Sequence, residues 1–502
     1  MTISRRAALQ RFTAGLGPAY LPLTRAQAQV SPDLVRFRPE IEPLVQILER
    51  TPRERAAEAV AEQLRRGVSY RQMMAALFLA GVRNVNPRPP GFALHCVFVI
   101  HSAHLIGLEA PPESRLLPLF YALDNFKAAQ ERDARAATGD FVMREMRGAL
   151  PPPARAAAQF TEAMDAWDIE QAERAVVSLA RHRGAAEILE MLWRYGARDY
   201  RNIGHKAIYV ANAARTLHAI GWQHAEPVLR SLVLSLLDFG REQQVNGYGF
   251  DNQCYAGNLK RQREAFPKLD DGWVAEGADA AATRSLLGVL REASPEEACA
   301  DVAARLVKRQ TAAGAVWDAV HLSSAELRMR LGRGGAIVGL HAVTSANALR
   351  HAWLAAAAPQ TRFLMLLQAA GWIAQFRRWA EMRDNGLRKF SIAEMEPAAA
   401  GSTVEDTLSG IPSDLDGAAS RVLRLAREQP GRQEFFTASL RSTIAKADEV
   451  HYYKYAAALV EDIPLVNAEW QPHLAAAMVW YMKGAKDPES GVIKRAREAL
   501  KA

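Results

Sequence analysis

The stretch Phe92-Ala-Leu-His95-Cys-Val-Phe-Val-Ile-His101-Ser-Ala-His104-Leu-Ile-Gly-Leu108 decides the fold. It is apolar nearly all round, which predicts a buried helix. Pro111-Pro112 ends it. Two later stretches have the same character: Gly204-His205-Lys-Ala-Ile-Tyr209-Val-Ala-Asn212-Ala-Ala-Arg215-Thr216-Leu-His218 and Ala336-Ile-Val-Gly-Leu-His341-Ala-Val-Thr344-Ser-Ala-Asn347-Ala-Leu-Arg350. A fourth, His451-Tyr-Tyr-Lys454-Tyr-Ala-Ala-Ala-Leu-Val460, follows near the end. The first three are each followed by a helical pattern that closes a hairpin: Glu113 to Asp133, Ala225 to Phe239 and Thr361 to Arg378. The expected fold is all-α, one large helical domain of antiparallel hairpins around a central cavity.

Composition agrees. Apolar residues make up 49% and charged residues 24% of the 502, the balance of a folded globular chain rather than a disordered one. Alanine, leucine, arginine and glutamate recur together, and these lose little rotamer freedom in a helix. No run of about eighteen apolar residues occurs, so no transmembrane helix is expected. The net charge is +8, and half of it comes from Arg5, Arg6, Arg11 and Arg25. No basic block lies elsewhere, which argues against a nucleic-acid partner. Cys96, Cys254 and Cys299 form no CxxC pair and allow at most one bridge.

The N-terminus reads as an address. Ser4-Arg5-Arg6, a weakly apolar stretch from Phe12 to Leu23 and Ala26-Gln27-Ala28 are the parts of a secretory signal of twin-arginine type over residues 1–28. The all-helical domain then occupies 29–502, in a periplasmic or exported protein. The alternative is a cytoplasmic protein with a basic N-terminus. Farther on, Thr51-Pro52-Arg53-Glu54 reads as a capping box opening a helix to about Arg66. Phe160 to Arg183 and Gly184 to Tyr195 read as a hairpin. Gly240 to Gly272 reads as the longest irregular segment, and Ala398 to Asp416 as a loop.

Helical geometry then sorts the polar residues by face. His101 and His104 face together, while His95 points elsewhere. His205, Tyr209, Asn212 and Thr216 form one stripe. His341 aligns with Thr344, and His451 with Lys454. Such stripes on apolar helices are costly unless their groups satisfy one another, line a polar cavity or bind a ligand. His101, His205, His341 and His451 are the candidate catalytic or ligand groups. His104, Tyr209, Asn212, Thr344 and Lys454 are the candidate substrate-binding residues. The HExxH and Glu-x-x-His patterns are missing, so any metal site would be built mainly of imidazole, which suits iron, copper or zinc. No GxGxxG or GxSxG element supports a nucleotide fold or a serine hydrolase.

The stretches from His205 to Arg215, Leu340 to Arg350 and His451 to Ala456, in that order, resemble the questin oxidase-like family. The resemblance covers roughly His95 to Trp480. It implies an oxidoreductase of monooxygenase type, with NADPH-dependent Baeyer–Villiger oxygen insertion into aromatic polyketide ketones. It carries over no residue roles beyond the matching histidines. An exported chain would not meet free NADPH, so either the leader is not one or the scaffold serves a changed reaction. Two functions follow: an oxidoreductase-like protein with a His-lined cavity for a small aromatic or apolar substrate, or a non-enzymatic helical-repeat scaffold for a protein partner. Converging histidines would mark the first, scattered ones the second.

Overall fold

The computed structural model describes residues 33–136, 139–240, 253–383 and 387–501. Twenty-two α-helices lie among them. In chain order they are α1 (Glu42–Arg50), α2 (Ala56–Arg65), α3 (Tyr70–Asn84), α4 (His95–Glu109), α5 (Leu117–Ala134), α6 (Ala156–Ala166), α7 (Ile169–His182), α8 (Ala185–Arg198), α9 (His205–Ile220), α10 (Ala225–Leu236) and α11 (Gln253–Ala265). Then come α12 (Ala280–Glu292), α13 (Pro295–Val307), α14 (Ala313–Arg330), α15 (Ala336–Ala355), α16 (Pro359–Arg383), α17 (Val404–Gly410), α18 (Leu415–Leu425), α19 (Gln429–Lys446), α20 (His451–Asp462), α21 (Gln471–Ala476) and α22 (Gly491–Lys501). The fold is all-α. Its sole β-type contact among the described residues is an isolated antiparallel bridge between Leu34 and Arg144.

Two kinds of helix build two layers. Outer helices bury one stripe: in α7, Ala172, Ala175, Val176 and Leu179 face inward at helical spacing, and the Asp168 carboxylate caps the start by accepting from the Gln171 amide. The histidine helices α4, α9, α15 and α20 are buried along most of their length. They close a ring, since α4 packs on α9, α9 on α15, α15 on α20, and α20 back on α4. The three expected hairpins are present, with α5 against α4, α10 against α9 and α16 against α15.

Several local expectations are corrected. Thr51 closes α1 instead of opening α2, and its hydroxyl donates back to the Ile47 carbonyl. The Phe160–Arg183 stretch is two helices, split where Trp167 takes a left-handed conformation (φ 62°). Gly240–Gly272 holds α11, whose Asn-Leu-Lys-Arg-Gln-Arg-Glu run favours helix. Ala398–Asp416 holds α17, opened by a Thr403–Asp406 capping box. The leader read over 1–28 lies outside the described residues, as do 241–252.

Helices α14 and α15 meet closely at Gly339, where an added Cβ would stand 2.7 Å from the Arg328 Cα. Overpacking of this kind costs about 1–3 kcal/mol, against about 1 kcal/mol gained in helix propensity. Gly339→Ala is therefore expected to lower the denaturant midpoint. A midpoint at or above wild type would show that this contact yields freely.

Candidate metal centre

The ring of four helices brings four imidazoles together. His95, His205 and His451 are each the first residue of their helix, and His341 is the sixth of α15. All four are buried. The Nε2 atom of His205 is 2.9 Å from Nε2 of His95 and 2.9 Å from Nε2 of His341. His95, His341 and His451 each offer a nitrogen within 4.8 Å of the others. Ring centroids of His95 and His451 are 4.7 Å apart, and those of His341 and His451 5.1 Å.

Three of the four outer nitrogens are already committed, while Nδ1 of His95 is buried without a hydrogen-bond partner, which leaves its Nε2 free to carry the proton and donate to His205. His205 Nδ1 donates to the Asn202 carbonyl (2.6 Å), and His341 Nδ1 to the Ile337 carbonyl one turn earlier (2.7 Å). His451 Nδ1 donates to the Glu449 carboxylate (2.7 Å), which also accepts from the Tyr481 hydroxyl (2.6 Å). A neutral imidazole carries one N–H. In the neutral state, Nε2 of His205, His341 and His451 is therefore a lone pair aimed inward, and Nε2 of His451 has no hydrogen-bond partner. Protonation does not relieve this crowding. Burial, then the neighbouring Lys454 and imidazoles, hold His95 and His205 well below the ordinary imidazole value of 6.5. His341 is held down in the same way by burial, then by His205 and Lys454.

The chain before His205 is built to hold it. Asn202 (φ 58°), Ile203 (φ 53°) and Gly204 (φ 79°) are all left-handed, and such a conformation in a β-branched residue is a true outlier. A Cβ on Gly204 would stand 2.1 Å from Ser345 Oγ. The turn is anchored by Asp199, fully buried, which accepts from Lys206 Nζ (2.6 Å) and from the Arg201 guanidinium (2.6 Å). Burial works to raise Asp199, but Lys206 and Arg201 outweigh it and hold the carboxyl at about 2.

Of the expected catalytic set, His205, His341 and His451 meet, and His101 does not join them. His95 takes that place. His101 lies in a second polar layer, with Nε2 3.2 Å from Glu461. Arg215 pairs with the same carboxylate (2.9 Å), and Asn347 donates to it (3.2 Å). Burial works to raise Glu461, but Arg215 and His101 outweigh it and keep Glu461 well below the usual carboxylate range.

Among the expected substrate-binding residues, His104 stacks on Tyr70 instead (centroids 5.7 Å). The Tyr209 hydroxyl donates to Ser231 (2.7 Å), Asn212 to the Phe98 carbonyl (3.2 Å) and Thr344 to the Leu340 carbonyl (3.1 Å). Lys454 belongs to the site. Its buried Nζ has no hydrogen-bond partner, and burial lowers its titration to about 7.

Between the two layers lies a cavity of about 10 Å³, lined by Ser102, Asn212, Thr344, Asn347, Lys454 and Glu461. That is room for about one water molecule, not for an aromatic ring. Phe92, 70% exposed, sits with its ring 5.9 Å from that of His95, so the cluster lies one side chain below the surface there.

Sequence reasoning missed His95, Glu449, Tyr481 and the Asn202 carbonyl. The overlooked signal for His95 is its place at the start of a buried helix, which it shares with His205 and His451. Comparison with protein-family models, curated proteins and solved structures finds no match.

Three imidazoles neutral in the fold accept protons on unfolding below 6.5. The unfolded chain then binds more protons, so the stability is fully present above 6.5 and is lost as pH falls. The denaturant midpoint is expected to drop between about pH 7 and pH 5, and less steeply in His205→Gln, which lacks one titrating ring. Equal slopes for the two proteins would contradict neutral burial of His205.

Proposed function

We propose that this chain is a histidine-ligated metalloprotein, and that its activity is an oxidoreductase reaction on a small aromatic or apolar substrate. One observation carries the metal reading. The His205 and His341 Nε2 lone pairs face each other at 2.9 Å, while both Nδ1 hydrogens are spent on carbonyls. Two lone pairs cannot bond to each other, and a shared cation resolves the contact. Outer nitrogens held by carbonyls and a carboxylate are the supports that metal-bound histidines use.

The residues that would hold the ion are His95, His205, His341 and His451. A set of imidazole nitrogens would suit iron, copper or zinc. When bound, a redox-active ion would supply the electron-transfer centre that such a reaction needs.

The chain's own groups do the rest. Glu449 fixes the His451 ring and brings negative charge beside the cluster. Lys454, near neutrality in its titration, can give or take a proton at Nζ. Phe98 and Tyr209, with rings 5.2 Å apart, supply an apolar wall. Access for a ring-sized substrate is assigned to the Phe92 side. The oxidoreductase reading also draws on the questin oxidase-like resemblance. Export, read from the leader, would require an electron source other than free NADPH. A purely structural scaffold gives no reason for unprotonated imidazoles to converge.

The test is elemental analysis of the full chain, followed by titration of chelator-treated protein with Fe(II), Cu(II) and Zn(II). About one ion per chain is expected. His205→Ala and His341→Ala should lose it while keeping the helical circular-dichroism signal, and Glu449→Gln should weaken affinity about 10–100-fold. Wild-type metal content in both alanine variants would refute the proposal.

A further inference from the structure

A second cluster lies apart from the histidines. Cys254, in the first turn of α11, and Cys299, in α13, are both buried. Their side chains are close enough to act on each other directly. Gly371 of α16 leaves the space for both: a Cβ there would stand 2.7 Å from Cys299 Sγ, 3.1 Å from Cys254 Sγ and 3.4 Å from Cys254 Cβ. Asn258, one turn after Cys254, donates to Cys299 Sγ (3.3 Å) and to Gln368 (2.8 Å). Arg261 donates in turn to Asn258 (3.0 Å).

We propose that Cys254 and Cys299 are an oxidisable dithiol, which hydrogen peroxide or a similarly small peroxide converts to an intrachain disulfide. Cys299 Sγ accepts from Asn258 and donates to the Leu367 carbonyl (3.2 Å), so it begins as a thiol. Its contact with Cys299 and burial hold the Cys254 thiol protonated as well, and either sulfur of the pair can meet the peroxide first.

One sulfur gives up its proton and attacks a peroxide oxygen, the O–O bond breaks, and the other oxygen takes that proton and leaves as water. The second sulfur then attacks the sulfenic acid so formed. The S–O bond breaks, a second water leaves with the second thiol's proton, and the S–S bond forms. Two thiols are oxidised by two electrons and one peroxide is reduced. Peroxide is little larger than water, so it reaches buried sulfur that a bulky disulfide reagent does not. The new bond would staple α11 to α13 beneath α16. The site also adjoins the histidine turn, since Gln368 donates to the Ala197 carbonyl (2.5 Å) two residues before Asp199.

The test treats the reduced full chain with hydrogen peroxide, removes the excess with catalase, then denatures it in N-ethylmaleimide for peptide mapping. Cys96 should be alkylated. Cys254 and Cys299 should lose alkylation and appear as one linked peptide pair, which a thiol reductant separates. In Cys254→Ser and in Cys299→Ser, dimedone should trap a sulfenic acid at the remaining sulfur of the pair. Full alkylation of Cys254 and Cys299 after peroxide, or linkage of either to Cys96, would overturn the proposal. The wild-type map decides this even where a variant folds poorly.

Discussion

Everything at the centre of this protein depends on four imidazoles being denied both water and protons. Each ring is buried at the meeting of α4, α9, α15 and α20, where a charge would be costly to hold. Three of the rings also sit at helix starts, where the helix dipole disfavours positive charge. Fixed acceptors on the outer nitrogens of His205, His341 and His451 then point their lone pairs inward. The ring of helices is thus a frame that creates a shortage of positive charge at one point.

The polar layer around Glu461 has a different character. There the charges are mutually satisfied: Arg215 and Asn347 answer the carboxylate, and Asn347 also bonds to Asp462 (2.8 Å). His101 is one member of that closed set, which explains why a histidine on the same helix as His95 has a different environment. The small cavity lies between this satisfied layer and Lys454, whose amine stands over the Phe98 ring and has no hydrogen-bond partner.

The helices were legible because their causes are local. Apolar runs such as His95–Glu109 announce burial, and Pro111-Pro112 announces an end. The hairpins follow because short connections leave consecutive helices side by side. What escaped depended on contacts distant in sequence. Helix α11 hid in a polar, aromatic-bearing segment, because its inner face is answered by α13 and α16. Thr51 has the composition of a helix start, and only the position of Ile47 reveals that it is an end. At the site, three of four nominated histidines meet. Face arithmetic set His95 aside because it compared residues within one helix, whereas the cluster is assembled from the ends of several.

The left-handed turn at Asn202, Ile203 and Gly204 has one more consequence. An isoleucine at φ 53° holds about 1–3 kcal/mol of backbone strain, kept in place by the Asp199, Arg201 and Lys206 charges. The turn therefore resembles a cocked spring with His205 on its arm. If that ionic latch slips, the backbone relaxes and draws the ring away while the surrounding helices still stand. On warming, the centre would come apart before the body of the molecule melts.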